Sequence, residues 1–154
     1  GASLSKYLAI DVGTKRVGVA VSDDLAIIAS PYATFDRERS IDKIVSIIER
    51  DNVTKIIVGL PYLPNGKLGS QAGDINLFVD QLRKYTQKPI VFENEVLTSV
   101  EAENRLKKIS KKRLVKTDID AMAACIILES YMGRLQYENG RKDAREYKKN
   151  TDLF

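Results

Sequence analysis

Apolar and polar positions near the start of the chain alternate in a way that predicts a β-hairpin. The apolar run from Tyr7 to Ile10 has the length of a short buried strand, and Gly13-Thr14-Lys15 is typical of a turn. From Val17 to Ser22 apolar and small residues alternate, which indicates a second strand. A third strand is expected from Pro31 to Phe35, with the proline confined to its start because proline donates no hydrogen bond to a strand ladder.

Helix and strand patterns alternate in the middle of the chain. Apolar positions recur at helical spacing between Ser40, the expected N-cap, and Arg50. The β-branched run from Lys55 to Gly59 predicts a buried strand. An amphipathic helix is then expected from Ile75 to Tyr85, and Ile90 to Phe92 has the pattern of a further strand. Between Leu60 and Ala72 the turn-forming residues are too numerous for a tight hairpin, so this segment is a candidate functional loop.

Two helices are expected in the last third of the chain. Thr98 and Glu101 have the spacing of a capping box, which places the start of the first near Ser99. The second has a regular apolar stripe, a cap at Thr117 or Asp118 and an expected end near Gly133; its stripe is formed by Ile119, Met122, Ala123, Ile126, Ile127 and Tyr131. Beyond Glu138 the chain is polar, and we expect a partly helical or frayed tail.

The order of these elements predicts an α/β fold. Three strands joined by short turns form antiparallel neighbours, whereas strands separated by helices pair in parallel. We therefore expect a mixed five-stranded sheet, antiparallel over its first three strands and then parallel, with helices on both faces. The length of 154 residues suits one domain. Residues 1–3 have the composition of a tag-cleavage remnant.

Composition removes several classes of enzyme. The chain has no histidine and no tryptophan and contains one cysteine, so it offers neither a Ser-His-Asp triad nor an ordinary zinc cage. Cys125 lies in an apolar run, and we expect an inert core thiol in a reducing compartment. No apolar run approaches the roughly 20 residues that a membrane span needs, so a cytoplasmic protein without a membrane partner is expected.

The formal net charge of +4 conceals one strongly basic segment. Seven cations fall within twelve positions that contain no acid, which leaves 18 of the 25 basic residues against 21 acidic ones. Such a segment suits binding to a phosphate backbone, although a solvated helix end followed by a charged loop explains it equally well. The seven residues are Arg105, Lys107, Lys108, Lys111, Lys112, Arg113 and Lys116.

Three acids lie where open α/β sheets bind ligands. Asp11 follows the first strand, Glu95 follows the Ile90 to Phe92 strand, and Asp120 lies in the first turn of the last helix. Clustered carboxylates need a neutralising cation, and two Mg²⁺ or Mn²⁺ ions could hydrolyse a phosphodiester without histidine. Each acid also has a structural explanation: Asp11 in a turn, Glu95 as a surface charge, and Asp120 as a capping-box acid after Thr117.

Asp11-Val12-Gly13-Thr14 also resembles the phosphate loop of the actin, Hsp70 and sugar-kinase superfamily. Those proteins need two such domains around a cleft, and this chain has the length of one, which disfavours ATP-dependent phosphotransfer.

The motifs taken together resemble those of the YqgF-like (RuvX) family. The resemblance runs from about Leu4 to Tyr137, and its most specific part is the opening segment from Tyr7 to Asp23. It continues through Val58-Gly59-Leu60-Pro61, Asn65-Gly66, Gln71-Ala72, Glu95, Leu97-Thr98-Ser99-Val100-Glu101-Ala102 and Asp120-Ala121-Met122-Ala123-Ala124.

This resemblance implies an RNase H-like nuclease domain over residues 4–137 and a charged tail over residues 138–154. It implies a metal-dependent nuclease, which either processes the 5′ end of precursor 16S rRNA or resolves Holliday junctions. Asp11, Glu95 and Asp120 are the implied catalytic residues, with Asp11 bridging two ions. Lys15, Arg16 and the basic segment would position structured RNA or branched DNA, and ribosomal precursor particles are a further expected partner.

One departure from the family pattern affects the middle acid. The family usually has Asp-Glu-Arg before Leu-Thr, whereas this chain has Asn94-Glu95-Val96. Glu93 is a candidate to compensate from the same strand face. A non-catalytic module that binds nucleic acid or ribosomes is therefore the alternative from a different class, and the sequence indicates no dimer face.

Overall fold

The computed structural model describes residues 4–62, 65–95, 98–109 and 116–151. Its helices and strands follow in the predicted order. They are β1 (Tyr7–Val12), β2 (Arg16–Ser22), β3 (Ala29–Asp36), α1 (Arg37–Arg50), β4 (Lys55–Leu60), α2 (Ala72–Leu82), β5 (Ile90–Asn94), α3 (Thr98–Ile109) and α4 (Lys116–Thr151).

The strands form one five-stranded mixed sheet in the order β3-β2-β1-β4-β5. The pairs β1–β2 and β2–β3 are antiparallel, and the pairs β1–β4 and β4–β5 are parallel. The first hairpin is tight, and the Gly13 N–H donates to the Arg16 carbonyl at 2.9 Å to close it. The helices α1 and α2 supply the crossovers that parallel pairing requires. The predicted sheet is confirmed.

Each face of the sheet carries its own apolar core. On one face, Leu8 and Ile10 of β1 pack with apolar residues of α1 and α2. On the other, Ala9 of β1 and Ile57 of β4 pack with α3 and α4. Because side chains alternate along a strand, Asp11 lies on the same face as Ala9, beneath the last two helices. Helices on both faces were predicted, and this is confirmed.

Helix α4 crosses the second face diagonally. Near its start it lies over β2, where the Asp120 backbone comes close to Gly18; because α4 begins at Lys116, Asp120 follows its first turn and does not lie within it as predicted. Ile127 lies over Gly59 of β4, and Arg134 pairs with Glu93 of β5. The helix therefore runs from the candidate acids toward the β5 edge of the sheet.

Two details near β3 differ from the prediction. Helix α1 begins at Arg37 with Asp36 as its N-cap, so the assignment of Ser40 as the cap is wrong. The Ser40 hydroxyl instead donates to the Arg37 carbonyl at 2.7 Å, inside the first turn. Pro31 is also not at the start of its strand; it lies within β3, beside a register shift opposite Val19 and Ala20. An edge strand with such an irregularity tolerates proline.

Two helix ends also differ. Helix α2 ends at Leu82, so the predicted extension to Tyr85 is wrong, and the Tyr85 residue is 61% exposed. Helix α4 passes through Gly133 and continues to Thr151. A glycine inside a helix costs only about 1 kcal/mol, which the good helix formers that follow it offset. None of the helices described is long and apolar enough to cross a membrane.

Candidate active site

Asp11 occupies the centre of the sheet near the carboxyl end of β1. It lies opposite Gly18 of β2 in the antiparallel register, and β4 runs along its other side. Its position on the α4 face follows from the alternation of β1, and the residue is partly buried. The two strands that flank β1 carry glycine on this face: Gly18 on β2 and Gly59 on β4.

Gly18 allows α4 to reach the sheet at Asp120. A Cβ atom at this position would lie 2.0 Å from the Asp120 carbonyl oxygen, a distance that no side chain tolerates. Only a residue without a Cβ atom fits between β2 and α4 here. Gly18 thus brings Asp120 close to Asp11.

Gly59 makes the equivalent space for Glu95. A Cβ atom on Gly59 would lie 2.8 Å from Glu95 Oε2 and 2.5 Å from Ile127 Cδ1. The Glu95 backbone is fixed at the end of β5, where its N–H donates to the Leu60 carbonyl at 3.0 Å. The Glu95 carboxyl group therefore turns back over β4 toward Asp11. Both glycines lie in segments that resemble the family, but no local pattern reveals the space that they provide.

The structure brings the three predicted acids together. Burial raises the pKa of Asp11 well above its ordinary value of 3.8, and a hydrogen bond with the Glu95 side chain raises it further. The negative charges of Glu95 and Asp120 act in the same direction. The topology of the sheet predicts that the three acids meet, and the two glycine positions allow Glu95 and Asp120 to approach Asp11.

Arg16 partly neutralises this cluster. Its Nε donates to Asp120 Oδ2 at 3.1 Å, and both side chains are about one quarter exposed or less, at 28% and 21%. Arg16 was expected to bind nucleic acid, and this ion pair is an additional role. Its partner is 104 positions away in the chain, so no local pattern could reveal it.

The donor set suits a hard divalent cation. Among the described residues, the carboxyl groups of Glu95 and Asp120 act on Asp11, and carboxylate oxygens are the ligands that Mg²⁺ and Mn²⁺ prefer. Within the described ranges, no three acidic, histidine or cysteine side chains are already arranged as a complete metal cage. The Asp120 carboxylate points to Arg16 instead. The residues present fit a divalent ion chemically, provided that Asp120 exchanges Arg16 for the ion.

Glu93 does not join the acid cluster. It is buried and ion-paired with Arg134 at 3.0 Å, and the Ser130 hydroxyl donates to it at 3.4 Å. The expectation that Glu93 compensates at the middle site is therefore not supported, because α4 holds its carboxylate elsewhere. Asn94 is exposed, and Val96 lies outside the described residues.

The predicted basic residues have different surroundings. Lys15 is exposed at the hairpin turn, and Lys108 is exposed near the end of α3. Arg105 pairs with Glu129 at 2.7 Å and Glu101 at 3.3 Å, and Lys107 pairs with Glu103 at 3.1 Å. Acids outside the basic segment thus neutralise two of its cations. Lys111, Lys112 and Arg113 lie outside the described residues, as does the side chain of Lys116.

Arg37 supports the turn that follows Asp11, a role that the sequence analysis missed. It donates to the Gly13 carbonyl at 3.0 Å and forms two hydrogen bonds with Asp74, at 2.7 and 2.8 Å. Its guanidinium also lies over the Phe78 ring. One side chain therefore ties the hairpin turn to α1 and α2, and no short-range motif contains these partners.

A family model described as a Holliday junction resolvase, RuvX, matches residues 5–134. The chain belongs to the RuvX family. The matched range includes all three candidate acids and ends close to Arg134, where α4 leaves the sheet. The predicted family is therefore confirmed.

Similar RuvX-family proteins occur in several bacteria. A protein of Chloroflexus aurantiacus, named as a candidate pre-16S rRNA nuclease, is 40% identical over 129 residues, which cover 81% of this chain and 84% of that protein. A protein of Sulfurihydrogenibium with the same name is 36% identical over 139 residues, covering 88% and 95%.

Solved structures confirm the RNase H-like fold. Thermus thermophilus RuvC in complex with a Holliday junction substrate superposes with a TM-score of 0.53 at 13% identity. The superposition covers 85% of this chain and 96% of RuvC. At this identity the likeness shows the fold alone.

Proposed function

We propose that this protein is a divalent-metal-dependent nuclease that processes the 5′ end of precursor 16S rRNA. The proposal takes its substrate from the names of relatives about 40% identical to this chain. It takes its chemistry from the acid cluster, since carboxylates and divalent ions can hydrolyse a phosphodiester without histidine. Such a function implies a cytoplasmic protein whose partners include ribosomal precursor particles.

The observation that carries the proposal is the approach of two further acids, Glu95 and Asp120, to the partly buried Asp11 carboxyl group. Asp11 contacts Glu95 directly and lies in the field of Asp120. Like charges so placed destabilise one another unless a proton or a cation intervenes. A site that serves only the fold would not need this arrangement, whereas a metal site does.

Each residue has a distinct part in the proposed reaction. Asp11, Glu95 and Asp120 would together hold the divalent ions. When bound, the divalent ions supply an activated water and stabilise the charge that develops on the leaving oxygen. Arg16, released from Asp120, and the exposed Lys15 would then hold the phosphate backbone beside the acids.

Substitution of the acids tests the proposal. Asp11→Asn and Asp120→Asn should each reduce Mn²⁺-dependent cleavage of precursor 16S rRNA at least about a hundredfold, because each removes a charged ligand. Asp118→Asn is the matched control, since Asp118 lies in the same helical turn as Asp120 and is exposed. Full activity in Asp11→Asn, or an equal loss in Asp118→Asn, would refute the assignment.

The family description favours a second candidate function, the resolution of Holliday junctions. Resolution calls for two paired sites that act symmetrically across a four-way junction. Purified protein should therefore be assayed side by side on precursor 16S rRNA and on a synthetic four-way junction. Symmetric paired incisions of the junction by a dimer would favour resolution. Binding to either substrate without metal-dependent cleavage would favour a non-catalytic module.

A further inference from the structure

The C-terminal part of α4 extends beyond the body of the protein. Leu135 still packs against the second core, but every residue from Gln136 to Lys149 is exposed. We call residues 136–151 the α4 arm; at 1.5 Å per residue it is about 24 Å long. Because residues 136–149 are exposed on every side, this part of the helix gains little from packing on its own chain.

The cations of the arm lie along one side of it. At about 100° per residue they fall within an arc of about 120°, whereas Asp143 and Glu146 lie outside that arc. Glu138 lies within it, but pairs with Arg134 at 3.4 Å. We call the cations of this arc the basic stripe: Arg141, Lys142, Arg145, Lys148 and Lys149.

The basic stripe continues the side of α4 that contacts the sheet. Asp120, Ile127 and Arg134 contact β2, β4 and β5 in turn and are spaced seven residues apart. The next two positions at this spacing are Arg141 and Lys148, both in the stripe. The stripe therefore lies on the same side of the helix as the acid cluster, past the open β5 edge.

We propose that the α4 arm is a second nucleic-acid contact, which binds the phosphate backbone of an RNA duplex. Asp120 and Arg141 are 21 residues apart on one helix, which corresponds to about 32 Å. One turn of a B-form DNA duplex is about 34 Å, and the turn of an A-form RNA duplex is a few ångströms shorter. The arm would thus hold the backbone about one turn from the bond to be cut. The distance of one turn between the arm and the cleaved bond rests on the proposed function, whereas the affinity of the basic stripe for phosphates does not.

A binding experiment tests the arm without cleavage. In an Asp11→Asn background, affinity is measured for RNA duplexes of about 8 and about 24 base pairs, of which only the longer spans both contacts. The arm variant is Arg141→Gln/Arg145→Gln/Lys149→Gln. The matched control, Arg39→Gln/Lys43→Gln/Arg83→Gln, removes the same charge from exposed positions on or next to α1 and α2.

The arm variant should bind the long duplex at least about tenfold more weakly, and the slope of log affinity against log salt should fall by between about two and three. The preference for the long duplex should disappear, while the control keeps it. An unchanged slope, an equal loss in the control, or tighter binding to phosphatidylserine vesicles than to duplex would overturn the proposal. If the wild-type protein cuts no RNA but keeps the arm-dependent preference, the nuclease assignment fails and the arm contact stands.

Discussion

At the scale of single residues, the acid cluster depends on positions that have no side chain. Gly18 and Gly59 lie on the strands that flank Asp11, and each gives up its side-chain volume to the approach of Asp120 or Glu95. Arg16 and Arg37 then fix the surroundings through partners far away in the sequence. The acids are thus placed by their neighbours as much as by their own positions.

Gly18→Ala is therefore expected to damage the site. The new methyl group would meet the Asp120 backbone, which must shift, and overpacking of this kind typically costs about 1–3 kcal/mol in the free energy of unfolding. Denaturant unfolding measures this cost, and Mn²⁺-dependent cleavage should fall with it. Gly73→Ala is the control, because a Cβ atom on Gly73 meets nothing within 4 Å. Equal stability of the two variants would contradict this account of the β2–α4 contact.

At the scale of elements, the sequence predicted the order of strands and helices and their pairing. Short turns, β-branched runs and helical periodicity are local signals, and the hairpin of β1 and β2 was predicted from them alone. The end of α4 was not predicted, because a single glycine at position 133 is a weak signal beside the helix formers that follow it.

The candidate site, like the fold, could be predicted only in part from the sequence. Asp11, Glu95 and Asp120 could be selected from the ends of strands and a helix start, since the topology of α/β sheets places ligands there. The ion pairs Arg105–Glu129 and Arg16–Asp120 could not be predicted. They form only after α4 packs against α3 and against the sheet. The net charge calculated from the sequence gives no sign that these two arginines are ion-paired.

The continuity of α4 gives a prediction for this element. Gly133 lies inside the helix and is exposed, and a Cβ atom there meets nothing within 4 Å. Gly133→Ala should therefore raise the free energy of unfolding by about 0.5–1 kcal/mol through helix propensity. Thermal and denaturant unfolding measure it. A loss of stability would show that the chain bends at Gly133 and that the arm is not a rigid continuation of α4.

At the scale of the whole molecule, the acids that the proposed reaction requires also lower the stability of the folded protein. A carboxyl group whose pKa is higher in the folded state contributes stability below its unfolded pKa and loses that contribution as pH rises through the folded pKa. Asp11 is such a group, because burial and its acidic neighbours raise its pKa from 3.8. In metal-free buffer the contribution of Asp11 to stability should therefore fall as the pH rises toward neutrality.

Asp11→Asn removes the ionisable group and should raise the Tm in EDTA at pH 7.5. The expected rise is about 2–4 °C for each kcal/mol of desolvation and charge repulsion that the substitution removes. The difference from wild type should shrink on acidification and vanish only below about pH 3, where Asp11 is protonated in both the folded and unfolded protein. Mn²⁺ should raise the Tm of the wild type more than that of the variant, because only the wild type offers the full set of carboxylates. Asp118→Asn should show neither effect. A variant that is inactive yet more stable cannot owe its inactivity to unfolding. The Tm therefore distinguishes a metal-binding role of Asp11 from a structural role. A lower Tm for Asp11→Asn at neutral pH would instead show that Asp11 has a structural role.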